Sequence, residues 1–221
     1  MRHFDVEIND LQDHLLKTAE LVQNMIRAVM QELINKDIKQ SEVILCLEKK
    51  VNIQEIVIDD KCLKLIALNQ PVGADLRFIT SAMRISSDLE RMGDETVNIG
   101  KKIVHLIKNA DLKPLVNVPK MVKIVQNMIV DCIKAFNTNN SDLALSVLMK
   151  DDEVDDLKSK IFNDIKKLMV EASDIDTVQK TIDLMFVAKS IERLGDHITN
   201  ISEDVIFMIH GKNIRHPRVY K

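Results

Sequence analysis

At 221 residues the chain has room for one sizeable domain or two small ones, and its 31 basic and 34 acidic residues leave no broad positive field to attract nucleic acid. With no Trp, one Tyr and six Phe, the core falls to Leu, Ile, Val and Met, which suits helix-on-helix packing. Residues 1–7 lack the apolar run of a signal peptide, and no stretch approaches the roughly 18 apolar residues of a membrane span, so a cytoplasmic protein without membrane insertion is expected.

Val6 to Ile34 reads as one long amphipathic helix, with apolar residues at Leu11, Leu15, Val22, Met25, Ile26, Val29 and Leu33. Asn35-Lys-Asp37 breaks it. A second helical stretch covers Ser41 to Leu68, with its entry to Leu47 open to being a separate short helix. Asn69-Gln-Pro-Val-Gly73 punctuates, because the residue before proline avoids the helical region. The third helix spans Ala74 to Asn109. Asp111 to Val118 contains Pro114 and reads as a linker, with Pro119 suited to the first turn of the next helix. Helices four, five and six then cover Pro119–Asn137, Asp142–Glu171 and Asp176–Ile209, with Ser173-Asp-Ile175 as a tight turn. Gly211 stops the last one, and Lys212 to Lys221 reads as a frayed basic tail.

The order of landmarks repeats. Val22-Gln-Asn-Met-Ile26 returns as Val125-Gln-Asn-Met-Ile129. Glu90-Arg-Met-Gly-Asp94 returns as Glu192-Arg-Leu-Gly-Asp196, each followed by Asn-Ile at the same distance. Two landmarks in order at nearly equal offset, with breaks in matching places, indicate an internal duplication. The expected fold is all-α, with a first three-helix bundle in residues 1–110, a linker at 111–118, a second antiparallel three-helix bundle in 119–211 and a tail at 212–221.

Glu90 and Asp94 stand four residues apart, as do Glu192 and Asp196, so each pair shares one helix face. Asn98 with Lys101, and Asn200 with Glu203, extend the two stripes over about 80°. Asp151 and Asp155, and in the first half Glu48 and Asn52, have the same spacing. Counting outward from each predicted turn puts Asp151/Asp155 level with Glu192/Asp196, and Glu48/Asn52 level with Glu90/Asp94. Leu89, Met92, Gly93, Thr96, Ile99 and Ile103 define the buried side of helix three, and the carboxylates lie roughly 150° from it. Any metal would therefore sit on an outer flank. Such a position, and the absence of Glu-x-x-His, argue against an inward-facing di-iron oxidase.

Oxygen donors of this kind suit Mg²⁺, Mn²⁺, Ca²⁺ or Fe. An acidic patch neutralised by Lys and Arg, Arg91 and Arg193 among them, explains the same residues equally well. His197 reads as a satisfied surface histidine, and Gly93 and Gly195 as points of close helix approach. Cys46, Cys62 and Cys132 have neither metal nor redox spacing and read as small buried hydrophobes in a reducing compartment. No nucleophile–base pair and no Gly-rich phosphate loop is present.

Gln70-Pro-Val-Gly-Ala-Asp-Leu-Arg77, Asp88-Leu-Glu-Arg-Met-Gly-Asp94 and Ser190-Ile-Glu-Arg-Leu-Gly-Asp-His197, together with the tandem duplication, resemble the PhoU family of accessory regulators of phosphate uptake. The resemblance covers essentially the whole chain. It implies two spectrin-repeat-like three-helix bundles related by a pseudo-twofold axis. It also implies multinuclear metal clusters (Fe, Mn, Mg or Zn) on Glu90, Asp94, Asp151, Asp155, Glu192 and Asp196, with Asn98, Asn200 and Glu203 supporting. Glu48 and Asn52 are weaker members, since Asn52 and Lys101 stand where the second half has carboxylates.

Functionally, the resemblance implies a non-catalytic, cytoplasmic homodimer acting between a phosphate transporter's ATPase subunit and a sensor histidine kinase, repressing the phosphate-starvation response. Asp75, Arg77, Arg91 and Arg193 are its candidate partner contacts. The alternatives are a hydrolase of phosphoesters using a surface metal, and a purely structural helical repeat.

Overall fold

The computed structural model describes residues 3–35, 38, 40–107, 117–172 and 174–215. Among them there are seven helices and no strand: α1 (His3–Asn35), α2 (Ser41–Asn69), α3 (Gly73–Ile107), α4 (Asn117–Thr138), α5 (Ser141–Leu148), α6 (Asp151–Glu171) and α7 (Ile175–His210). Helices α1 to α3 form the first bundle, and α4 to α7 form the second. The α3–α7 and α1–α4 contacts join them. Both copies of the Val-Gln-Asn-Met-Ile segment put the same positions in the core: Val22, Met25 and Ile26 in one, Val125, Met128 and Ile129 in the other.

Helix ends follow local chemistry. Buried Glu32, on α1, accepts the Gln40 backbone N–H at 2.7 Å and the Ser41 hydroxyl at 3.2 Å, so α2 is capped from a neighbouring helix. Gln70 ends α2 in the left-handed region, and Gly73, also at positive φ, opens α3 after Pro71. Asp174 caps α7 by accepting from the Thr177 N–H at 2.7 Å and its hydroxyl at 2.8 Å. Gly211 closes α7 at φ 68°, as expected from the sequence.

Several boundaries differ from expectation. Helix α2 runs unbroken through Leu47, whereas the expected single helix over 142–171 is interrupted at Met149–Lys150. There the Lys150 N–H bonds back three residues, to the Val147 carbonyl at 3.1 Å, instead of four. Its side chain reaches Asp131 on α4 at 2.6 Å. Leu47, at the matching place in α2, packs on the core instead, and that helix continues.

The expected linker lies mostly outside the described residues, and its last two, Asn117 and Val118, already belong to α4. Of the tail, residues 216–221 lie outside the described residues. Arg215 is not frayed: it contacts Asp204 at 2.8 Å and Glu203 at 3.3 Å. Cys62 and Cys132 are buried as expected, but Cys46 is exposed. At Gly93 a methyl group would meet Val51 Cγ1 at 3.6 Å and Met25 Cε at 3.7 Å. These are ordinary contacts, so close approach does not account for the glycine.

Candidate metal centres

Two acidic clusters lie between the second and third long helices of each half. In the second half the α5–α6 break makes Asp151 the first residue of α6, followed by Asp152 and Glu153. Asp151 sits over Gly195 of α7: a methyl group there would lie 3.4 Å from Asp151 Oδ1. Two turns further on, the Lys158 ammonium donates to Glu192 Oε1 at 2.5 Å and to Asp155 Oδ1 at 3.1 Å. The two carboxylate pairs therefore meet across the helix interface at one level, as the turn-midpoint count places them.

The electrostatics are those of crowded like charges. Burial pushes the Asp151 carboxyl up to about 6, with the charges of Asp196 and Asp155 adding to it. Asp196 is raised by burial and by Glu192. Lys158 is held above its usual range, chiefly by its hydrogen bond to Glu192.

In the first half, burial raises Glu90, with Asp94 and Glu55 reinforcing it and Glu48 contributing. Glu55 is raised by burial and by Asp59. Asn52 Nδ2 donates to Glu48 Oε1 at 2.7 Å, while Asn52 Oδ1 is buried without a hydrogen-bond partner.

Glu55 and Lys158 are the members that the sequence reading missed. Each lies three residues beyond Asn52 or Asp155, a spacing that shares a helix face, so extending the stripe one turn would have found both. They occupy matching positions in the duplication with opposite charge, and this difference separates the two clusters. The second holds its own cation; the first has an added carboxylate.

Asn200 and Glu203 do not join the second cluster. Four-residue steps advance 400° around a helix, so the stripe drifts about 40° per step and by Asn200 faces α3. Asn200 Nδ2 donates to Asp88 at 3.4 Å, and Glu203 pairs with Arg215. His197 is likewise not a surface histidine: it is mostly buried and its Nδ1 lies 2.9 Å from Asp88 Oδ1. Asn98 and Lys101 are exposed on α3.

Of the candidate partner contacts, Asp75 and Arg91 are exposed. Arg193 pairs with buried Glu95 on α3 at 2.8 Å while half of its side chain stays exposed. Arg77 Nε donates to the Met208 carbonyl at 3.3 Å, near the end of α7.

The donor chemistry fits a hard cation: oxygen ligands, half-buried like charges and an orphaned amide oxygen. Among the described residues, however, no three His, Cys, Asp or Glu side chains converge closely enough to hold one ion. Rotamer changes would be needed in both clusters, and displacement of Lys158 in the second.

A family model for the PhoU domain matches the chain twice, over residues 15–103 and 118–205. The chain belongs to the PhoU family. Two relatives are curated as phosphate-specific transport system accessory protein PhoU homologs. That of Clostridium acetobutylicum is 34% identical over 96% of each chain. That of Pseudomonas putida is 31% identical over 97% of this chain and 84% of its own. Among solved structures, PhoU from Pseudomonas aeruginosa superposes with a TM-score of 0.90 at 30% identity, covering 95% of this chain and all of the other. The phosphate transport system regulatory protein PhoU from Streptococcus pneumoniae follows at 0.88 and 27% identity. The PhoU fold is thus shared over both halves. No helix among the described residues is long and apolar enough to cross a membrane.

Proposed function

We propose that this protein is a cytoplasmic, non-catalytic negative regulator of phosphate uptake, an adaptor between a phosphate transporter's ATPase subunit and a sensor histidine kinase. The observation that carries this reading is end-to-end similarity to proteins named as accessory or regulatory components of phosphate transport. A divalent or trivalent metal would be held by Glu48, Asn52, Glu55, Glu90 and Asp94, and by Asp151, Asp155, Glu192 and Asp196 once Lys158 turns away. Bound there, it would supply a concentrated positive charge on the flank of each bundle. The chain's own part is to hold several carboxylates at one level and half out of water, where their repulsion is relieved only by a cation.

The test combines a physical and a cellular readout. Ala at both Glu90 and Asp94, or at both Glu192 and Asp196, should abolish the rise in melting temperature that Mn²⁺ gives to the corresponding half. In cells lacking the native gene, the same variants should derepress phosphate-starvation transcripts under phosphate-replete conditions. Normal repression by a chain with both pairs removed would discard the metal from the regulatory reading. Metal-dependent phosphoester turnover lost in the same variants would favour the hydrolase instead.

A further inference from the structure

The duplication puts two acidic clusters in one molecule and gives them different companions. In the second, Lys158 is held between α6 and α7, its ammonium on Glu192 at 2.5 Å and on Asp155 at 3.1 Å. Only 27% of the Lys158 side chain and 17% of that of Glu192 stay exposed, so the pair is not a loose surface contact. Glu55 stands 103 residues earlier, at the matching place of the first cluster, with the opposite charge.

Among the described residues, Glu48, Glu55, Glu90 and Asp94 form no ion pair with a Lys or Arg. Arg91 acts on Glu55 and Glu90 only from further off. Asn52, where the second half has Asp155, keeps its Oδ1 buried with no donor. The first cluster therefore lacks a positive charge that the second already carries within hydrogen-bond reach.

Resting on the metal reading above, we propose that Lys158 is a tethered counter-ion that ranks the two clusters. A divalent cation loads the first cluster first, and reaches the second only at a concentration high enough to displace the ammonium. The tether matters because a side chain competes at an effective concentration fixed by the fold, which gives the second cluster a built-in threshold. Lys158 gives up two charge-assisted hydrogen bonds when it leaves, and one such bond is worth roughly tenfold in affinity. In the first cluster no charged group has to leave, and the orphaned Asn52 oxygen gains a partner. The chain thus responds to cation concentration in two steps, one in each half.

Titration of the metal-stripped full chain with Mn²⁺, with the free ion followed by electron paramagnetic resonance, tests this. Two classes of sites should appear, separated by roughly tenfold or more. Ala at both Glu90 and Asp94 should remove the tighter class, and Ala at both Glu192 and Asp196 the weaker. Lys158→Met should tighten the weaker class by roughly tenfold or more and leave the other in place, whereas Lys158→Arg keeps the charge and should preserve the separation. Where circular dichroism shows that Lys158→Met does not fold, Glu55→Lys carries the test: an ammonium at the matching place should weaken the tighter class toward the other. Equal affinities in the wild type, the reverse assignment of the classes, or affinities indifferent to these Lys158 and Glu55 changes would overturn the ranking while leaving the metal reading in place. A wild-type chain that binds no Mn²⁺ overturns both.

Discussion

Asp151 shows how one position couples the fold to the cluster. It opens α6 only because the helix breaks at Lys150, and it lies against Gly195, half out of water among like charges. Its carboxyl rises from 3.8 to about 6, so the folded chain holds that proton more tightly than the unfolded chain does. A raised carboxylate contributes stability below its unfolded value and loses it as pH climbs to the folded one. The metal-free protein should therefore lose stability between roughly pH 4 and 6 through this residue. Asp151→Asn should flatten that part of a plot of melting temperature against pH; an unchanged slope would show that the carboxyl is not perturbed. Cation binding needs the ionised form and should strengthen over the same interval.

At the scale of an element, α3 and α7 repeat one motif yet meet different surroundings. Gly93 and Gly195 each weaken a long helix by about 1 kcal/mol relative to alanine. At Gly93 a methyl group would touch only Val51 and Met25 at ordinary contact distance. Gly93→Ala should thus stabilise the protein by up to about 1 kcal/mol, measured as a shift in the denaturant midpoint at constant m-value. A loss of stability would show that the helices approach more closely in solution. The α5–α6 break has a comparable local origin. Lys150 stands where α2 has Leu47, and reaching Asp131 replaces packing on the core.

For the whole molecule, the decisive surface is between α3 and α7, where the two halves meet through three ion pairs and one histidine–carboxylate hydrogen bond. Arg84 pairs with Asp204, Asp88 with His197, Glu95 with Arg193 and Lys102 with Asp183; numbers rise along one helix as they fall along the other, as antiparallel packing requires. Arg84 also lies over the Phe207 ring and Lys102 over the Phe186 ring. Asp204 is nearly fully buried, and burial lifts its carboxyl to about 6 against the pull of Arg215 and Arg84. Its charge is thus a net cost, and its worth lies in accepting hydrogen bonds from both guanidiniums. Asp204→Ala should destabilise the chain by about 3 kcal/mol, a fall in melting temperature of roughly 6–12 °C. Asp204→Asn, which keeps an acceptor, should lose less than half as much. Equal losses in the two variants would point to the charge.

Much of this was legible from the sequence because it is written in local periods. Apolar spacing delimits the long helices, Pro71 and Gly211 mark their ends, and repetition of Glu-Arg-x-Gly-Asp announces two halves. Even the level pairing of Asp151/Asp155 with Glu192/Asp196 follows, since antiparallel arms rise equally per residue on either side of a turn. Contacts between the halves were not legible, because nothing in the period of α7 says which helix will cover its second face. Asn200 and Glu203 therefore read as extensions of the carboxylate stripe and His197 as a surface histidine, whereas tertiary packing turns them toward α3 and the tail. Whether Lys158 sits among the acids, and whether Arg215 is anchored, likewise depended on which carboxylates the folded chain brings within reach of a long, flexible cation.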